Sequence, residues 1–201
     1  MLTPPYNRGS FYHMRRFDFL SDNIGYMRRI VCKKGGMLLY LHEQSIMSIL
    51  GARPAARAVL RGDEKHPGLR GYTDFFPYRC GTVVIAELWG LPQDPEPCAS
   101  NIFAMHIHAT GDCTGDMEMS FSSAGGHYNP KNCPHPAHAG DMPPLFSNRG
   151  YAWQGFYTDR FTPSEIMGRS VIIHAKRDDF TTQPSGDAGD RIGCGVILGL
   201  R

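Results

Sequence analysis

The pattern of apolar and polar positions from about residue 56 onward consists of short apolar stretches separated by Gly- and Pro-containing segments. The clearest stretch, TVVIAELWG at 82–90, is rich in β-branched residues and is followed by Pro92, as expected for a strand. Helical periodicity is absent there, apart from a single turn at 163–167. The pattern predicts strands at 56–62, 69–76, 82–90, 101–109, 151–157, 169–175 and 193–198.

Many short strands with Gly/Pro turns are typical of an all-β fold, either an antiparallel β-sandwich or a barrel. Two long segments without predicted structure, roughly 111–148 and 176–190, interrupt the strands. Loops of this length in a compact domain are usually functional or disordered. Both are rich in side chains that bind metals, which favours a function.

The first 52 residues differ from the rest in charge. Residues 1–52 hold seven Lys/Arg and three Asp/Glu, a net of +4, whereas residues 53–201 hold fourteen and sixteen, a net of −2. The basic excess therefore lies outside the main domain, and no nucleic-acid partner is expected. We predict an N-terminal extension at 1–52 that is disordered or partly helical, with an amphipathic helix at 36–50, and a main domain at 53–201. A natural start at Met47, or a functional basic arm, are the alternatives.

The chain shows no apolar run near the 18 or so residues of a membrane span, and no convincing signal peptide. The sequence by itself therefore favours the cytoplasm. Six cysteines in 201 residues do not make a disulfide scaffold, and a C-x-x-C pair is absent.

His106 and His108 stand two apart within an apolar run. In a strand, residues two apart point to the same face, so both imidazoles would project together. Neutral histidine is the commonest metal ligand and suits copper, zinc, iron and nickel. A lone HxH pair is a weak signal, however, and gains weight only from the histidines that follow.

The first long loop contains His127, His135, His138 and Asp141. Three imidazoles and one carboxylate complete a tetrahedral zinc site, which would also explain how a Pro/Gly-rich loop stays ordered. The alternative is a polar loop that happens to be rich in histidine.

His174 ends the strand SVIIHA and would have no assigned role in isolation. With three earlier histidines it forms a second set, made up of His106, His108, His127 and His174. Four imidazoles without a thiolate suit redox-active copper better than a structural zinc.

The chain resembles the copper/zinc superoxide dismutases, and the resemblance covers about 145 residues from Ala56 onward. It rests on an ordered series of motifs, HIH, GGHYNP, HPAHAGD, GRSVIIHA, RDD and GDAGDRIGCGVI. The resemblance implies an antiparallel Greek-key β-sandwich or flattened barrel with two long functional loops. It also implies a cofactor pair of one copper ion and one zinc ion.

The resemblance assigns a role to each candidate residue. Copper would be bound by His106, His108, His127 and His174. Zinc would be bound by His127, His135, His138 and Asp141, so that His127 bridges the two metals. Asp178 would link a copper ligand to a zinc ligand, and Arg191 would lie beside the copper. For a lone arginine, a surface ion pair with Asp187 or Asp190 would be the alternative.

The resemblance further implies a disulfide between Cys113 and Cys194, with the cysteine placement of the bacterial branch. A disulfide would suit a compartment outside the cytoplasm; buried free thiols are the alternative in a reducing compartment. Cys80 and Cys98 flank a strand and could pair, and no role is assigned to Cys32 or Cys133.

The implied activity is the conversion of superoxide to oxygen and hydrogen peroxide, with Arg191 and His127 as catalytic residues. Superoxide is the expected partner, and a homodimer is the assembly considered. The alternative function is a copper/zinc carrier module without turnover, and a structural sandwich that holds only zinc is a third. A carrier needs neither an anion-binding arginine nor Asp178, and a zinc-only domain does not need the second histidine set.

Overall fold

A curled antiparallel sheet of seven strands forms most of the structure. This computed structural model describes residues 29–34, 37–42, 48–49, 51–96, 98–116 and 118–200. The strands, in chain order, are β1 Arg29–Lys34, β2 Met37–His42, β3 Ala56–Gly62, β4 Arg70–Tyr78, β5 Gly81–Trp89, β6 Ile102–Phe103, β7 Met105–His108, β8 Leu145–Phe146, β9 Ala152–Thr158, β10 Ser170–His174 and β11 Arg191–Gly199. The α-helix is α1 Pro163–Ile166, and a short 3-10 turn covers Ser122–Ala124.

The main sheet runs in the order β7-β10-β11-β3-β4-β5-β9, and every neighbouring pair is antiparallel. After β5 the chain crosses to β7 at the far edge, and then returns to β9 beside β5. Such long crossings between antiparallel strands are typical of Greek-key connections. The predicted all-β antiparallel fold is therefore confirmed.

The core follows from the two-residue alternation of the strands. In β3, Ala56, Ala58 and Leu60 are fully buried, while Val59 between them is exposed. Facing strands add Phe75, Val84, Ile107, Ile173 and others to one continuous apolar cluster. Truncating a buried leucine to alanine typically costs about 2–5 kcal/mol, so Leu60 is a strong determinant of the fold.

The predicted strands are all observed, with one divided in two. Residues 101–109 form β6 and β7, which belong to different sheets. The change of partner occurs at Ala104, whose N–H donates to Lys176 O at 2.8 Å and whose carbonyl accepts His174 N–H at 2.9 Å. The predicted turn at 163–167 begins α1.

The prediction of a helix at 36–50 is wrong for Met37–His42. These residues form strand β2, which pairs with β1. The register places Lys34 opposite Met37, and the sequence between them is Gly-Gly, a common pair between hairpin strands.

Ile49 is buried against Phe76 and Val83 of the main sheet. Residues 1–28, 35–36, 43–47 and 50, on which other predictions for the extension fall, lie outside the described residues. No helix in the described part of the chain is long and apolar enough to cross a membrane.

Candidate metal centre

The first long loop lies along the free edge of β7. Tyr128 N–H donates to Ile107 O at 2.8 Å, and Ile107 N–H donates to Gly140 O at 2.9 Å. Bridges therefore pair His108 with His127, and His106 with Asp141. An edge strand offers unpaired backbone groups, and here the loop uses them. This pairing brings loop ligands beside strand ligands.

The first histidine set predicted from the sequence converges at this edge. It consists of His106, His108, His127 and His174. One ligand nitrogen from each lies within 4.8 Å of all the others. Strand alternation places His106 and His108 on one face of β7. The last residue of β10, His174, lies beside the start of β7, where its N–H donates to Ala104 O. His106, His108 and His174 are buried.

Hydrogen bonds turn three of these rings in a defined direction. His108 Nδ1 lies 2.8 Å from Gly125 O, and His174 Nδ1 lies 3.2 Å from Gly189 O. Because a carbonyl only accepts, both Nδ1 atoms must donate, which leaves each Nε2 with a lone pair. His106 is turned the other way, since its Nε2 lies 2.8 Å from Asp178 Oδ2.

The second set surrounds Asp141. His127 Nδ1 lies 2.7 Å from Asp141 Oδ1, His135 Nδ1 lies 3.1 Å from Oδ2, and His138 Nδ1 lies 3.3 Å from Oδ1. The ligand atoms of all four residues lie within 4.8 Å of one another. His127 belongs to both sets, with Nδ1 toward Asp141 and Nε2 on the other side of its ring.

The residues present fit two metal ions. The buried nitrogens His106 Nδ1, His127 Nε2 and His135 Nδ1 have no hydrogen-bond partner; the approach of His135 Nδ1 to Asp141 Oδ2 at 3.1 Å does not have hydrogen-bond geometry. Leaving a buried polar atom unsatisfied costs about 1–3 kcal/mol, so three in one cluster need an explanation. All three are ligand atoms of the two sets, and a metal ion would satisfy each of them. The all-imidazole set suits copper, and the set of three imidazoles with a carboxylate suits zinc.

The protonation of the four-histidine set, called the copper set below because its ligands suit copper, also favours metal binding. Burial, together with the neighbouring His127 and His174, lowers the pKa of His108 to about 2. Burial and the neighbouring His106 lower the pKa of His174 to about 3. Both imidazoles are therefore neutral near pH 7, which is the state that binds a metal.

Asp178 connects the two sets. Its Oδ2 accepts from His106 Nε2, and its Oδ1 lies 2.9 Å from His135 Nε2. Burial by itself would raise the pKa of Asp178, but hydrogen bonds from His106, Phe180 N–H and His135 lower it to about 2. A Cβ at Gly186, whose φ is +71°, would lie 2.0 Å from Asp178 Oδ1, so glycine is required there.

Arg191 lies at the mouth of the copper set and does not form the surface ion pair considered above. Its Nη1 donates to Phe121 O at 2.6 Å and Ser122 O at 3.3 Å, and its Nη2 donates to Gly125 O at 2.7 Å. These bonds use three of its five N–H groups. Arg191 shares a cleft of about 410 Å³ with His108, His127 and His174. Burial lowers the pKa of Arg191, although an arginine stays cationic in proteins.

Comparison with known proteins gives a family. Residues 77–197 match the family model described as copper/zinc superoxide dismutase (SODC). The chain belongs to the copper/zinc superoxide dismutase family. As a member, it is an oxidoreductase that disproportionates superoxide with copper and zinc as cofactors, and these predictions are confirmed.

This chain is similar to dismutases of bacteria and of a mammal. The chain is 33% identical over 148 residues to a Cu-Zn superoxide dismutase of Deinococcus radiodurans. The matched region covers 65% of this chain and 78% of the relative. It is 35% identical over 129 residues to a Legionella pneumophila Cu-Zn superoxide dismutase, covering 60% and 72%. It is also 35% identical to a mouse extracellular Cu-Zn superoxide dismutase, but the match spans only 45% of that relative and 55% of this chain.

A solved structure supports the dismutase fold. The Cu/Zn superoxide dismutase from Brucella abortus superimposes with a TM-score of 0.58 at 23% identity, over 70% of this chain and 98% of that one. At this identity the likeness is evidence of fold, and the functional argument rests on the family match and the site.

The implied disulfide of the dismutase family is present. Cys113 and Cys194 are bonded, with a Cα–Cα distance of 5.8 Å. The bond joins the start of the first long loop to β11, the strand that carries Arg191. Cys98 and Cys133 are free thiols, so the pairing of Cys80 with Cys98 is wrong.

Several contacts of the centre were not found from the sequence. The carbonyls of Gly125 and Gly189 orient ligand rings, and the side chains of Arg160 and Gln183 bind the backbone of the first loop. A backbone carbonyl is present at every residue and carries no sequence signal. The only available hint for Gly125 was its place in the GGHYNP motif.

Proposed function

We propose that this chain carries out superoxide dismutation at the two ligand sets described above. Copper would be held by His106, His108, His127 and His174. Zinc would be held by His127, His135, His138 and Asp141. The single observation that supports the proposal most is the position of His127, which belongs to both sets. Its Nδ1 lies 2.7 Å from Asp141 Oδ1, and its Nε2 is buried without a partner.

Copper, when bound, supplies the one-electron couple that oxidises one superoxide and reduces the next. Arg191 would attract the anion and position it, because two N–H groups of its guanidinium are left over and face no carboxylate among the described residues. Its rigid attachment to three carbonyls fixes the direction of those groups. A carrier without turnover would have no use for this arrangement.

His127 would supply a proton to the reaction. Its Nδ1 is directed toward Asp141, at 2.7 Å from Oδ1, so the ring cannot turn freely. Its Nε2 faces the copper set and can hold a proton whenever it is not a ligand. Reduction of superoxide to hydrogen peroxide consumes two protons, and His127 Nε2 would deliver one of them.

Zinc and Asp178 would hold the centre in shape. Zinc would neutralise the charge of Asp141 and fix three loop residues on one side of His127. Asp178 would keep His106 and His135 in the tautomers that direct their Nδ1 atoms at the two metals.

The domain boundary and the assembly also remain proposals. We infer that residues 53–201 form the catalytic domain, because both ligand sets, Asp178 and Arg191 lie within it. The homodimer and the absence of a nucleic-acid partner stay predictions.

Metal content of single-ligand variants tests the proposed residue roles. His108→Ala should lose copper and keep zinc, and His138→Ala should lose zinc binding first. His127→Ala should weaken the binding of both copper and zinc. Elemental analysis after dialysis against each metal gives the two contents. Retention of both metals at wild-type affinity by His127→Ala would refute the bridging role.

A further inference from the structure

Arg160 binds the outer side of the turn that carries two proposed zinc ligands. Its Nη1 lies 3.0 Å from Pro136 O, 3.1 Å from His138 O and 3.4 Å from Asp141 O. One guanidinium nitrogen carries two hydrogens, so three carbonyls share two donors. These carbonyls span residues 136–141, and the guanidinium therefore holds the backbone of His138 and Asp141 together.

Gln183 binds the backbone of a third proposed zinc ligand. Its Oε1 accepts the His135 N–H at 2.9 Å, and its Nε2 donates to His135 O at 2.7 Å. Both backbone groups of His135 are thus satisfied by one side chain from the second long loop. The ring of His135 is held by Asp178 from the same loop, five residues earlier.

Arg160 is presented by a rigid part of the fold. It lies two residues after the end of β9, and its own N–H donates to Thr158 Oγ1 at 3.2 Å. The next residue, Phe161, is only 1% exposed and packs edge to face against Phe75. Among the described residues, Arg160 forms no ion pair with a carboxylate, so its contacts with the loop carbonyls are its main interaction.

We propose that Arg160 and Gln183 form a backbone clamp that sets the zinc ligands in position before the metal binds, and so raises zinc affinity. The physical reason is preorganisation. Without the clamp, a loop rich in proline and glycine would have to be ordered at the moment of binding, and that entropy would reduce the affinity. The inference rests on the zinc site proposed above, and it makes both side chains positioning residues.

Zinc affinity of four variants tests the clamp. In Arg160→Gln and Gln183→Ala, we expect zinc binding to weaken by about 10–100-fold each, the range typical of residues that support metal ligands. The double variant should be weaker than either. Arg160→Lys, which keeps a cationic donor without the planar fork, should recover part of the loss. The measurement is competition for zinc against a chromophoric chelator, on copper-free protein.

Arg70→Gln is the matched control. Arg70 is also an exposed arginine whose guanidinium donates to a carbonyl, that of Gly68 at 3.5 Å. No hydrogen bond or ion pair joins Arg70 to the described residues of the first long loop. Its substitution should leave zinc affinity unchanged. A loss of affinity in this control equal to that of Arg160→Gln would show a general effect of surface charge, and would overturn the clamp.

Two further readings separate positioning from folding. Cobalt bound in place of zinc gives a visible spectrum that reports ligand geometry, and Arg160→Gln should change it, while the melting temperature of the metal-free protein stays near wild type. Zinc affinity within about twofold of wild type in both single variants would overturn the proposal. A fall in metal-free stability with an unchanged cobalt spectrum would also overturn it. His138→Ala provides the separate check, because wild-type zinc affinity in that variant would show that the zinc site itself is misassigned.

Discussion

At the scale of single residues, the position of Arg191 is fixed by three backbone carbonyls rather than by a carboxylate. A carboxylate partner would neutralise the guanidinium and repel an anion. Carbonyl partners leave the full positive charge at the mouth of the copper set. The residue is therefore suited to draw superoxide into the cleft.

Arg191→Ala should keep both metals but lose at least about tenfold in the rate of superoxide consumption, because local focusing of an anion raises on-rates by about 10–10³. Arg191→Lys should lose less, since it keeps the charge without the planar fork. The rate of the Ala variant should also depend less on salt. Superoxide decay measured across ionic strength, with metal content checked in each sample, gives the answer. A wild-type rate and salt slope in Arg191→Ala would remove this residue from substrate guidance.

Asp178→Asn should weaken copper retention, although Asp178 is not itself a proposed metal ligand. It contacts the Nε2 atoms of two proposed ligands, whose Nδ1 atoms would bind the metals. The carboxylate accepts from His106 and His135, and an amide can accept from only one of them. Losses of about 10–100-fold in affinity or activity are typical for such partners. Asp179→Asn is the control, because the exposed Asp179 caps only Thr181 and Thr182. Equal copper affinity in wild type and Asp178→Asn would count against the linking role.

At the scale of elements, the disulfide joins the first long loop to the strand that carries Arg191. Its cysteines are 81 residues apart. Cys113 and Phe121 pack against the same buried cluster, and the Phe121 carbonyl accepts from Arg191. The bond therefore restrains the unfolded chain, and it ties the loop that supplies the carbonyl partners of Arg191 to β11.

Cys113→Ser should lower the melting temperature markedly under oxidising conditions. The chain-entropy description gives about 4–5 kcal/mol for a closed loop of this length. Calorimetry of the two proteins with and without reductant measures the effect. Cys98→Ser, which removes an exposed free thiol, should change nothing. An unshifted melting temperature in Cys113→Ser would mean that the bond contributes nothing to stability.

The strands of the main domain could be predicted because alternation, β-branched residues and Gly/Pro turns all agree there. The β1–β2 hairpin was not predicted, since Met37–His42 is a continuous apolar run that fits helix or strand equally well. The Gly-Gly pair before it was the signal that decides between them. The break at Ala104 depends on its pairing with Lys176 and His174, which no local pattern reveals.

At the scale of the whole molecule, the metal centre depends on pairing between distant parts of the chain. The proposed ligand residues could be predicted because their types and order follow a family pattern. Their geometry depends on the first loop pairing with the free edge of β7, and on the second loop supplying Asp178 and Gln183. Contacts of this kind, such as Arg160 with three carbonyls, follow from the fold and not from residue spacing.

The distribution of charge favours local attraction of the substrate. The whole chain carries a formal net charge of +2, but residues 53–201 carry −2, so the proposed domain does not attract an anion by its net charge. Arg191 shares a cleft with His108, His127 and His174, and its positive charge would supply the attraction there.

The most direct test of the account is metal analysis combined with a superoxide-consumption assay on one sample. Protein reconstituted with both metals should contain one copper and one zinc per chain and should consume superoxide rapidly. Removal of copper alone should abolish the activity while the zinc content stays near one. Full activity with zinc alone, or a single metal per chain in fully active protein, would contradict the account.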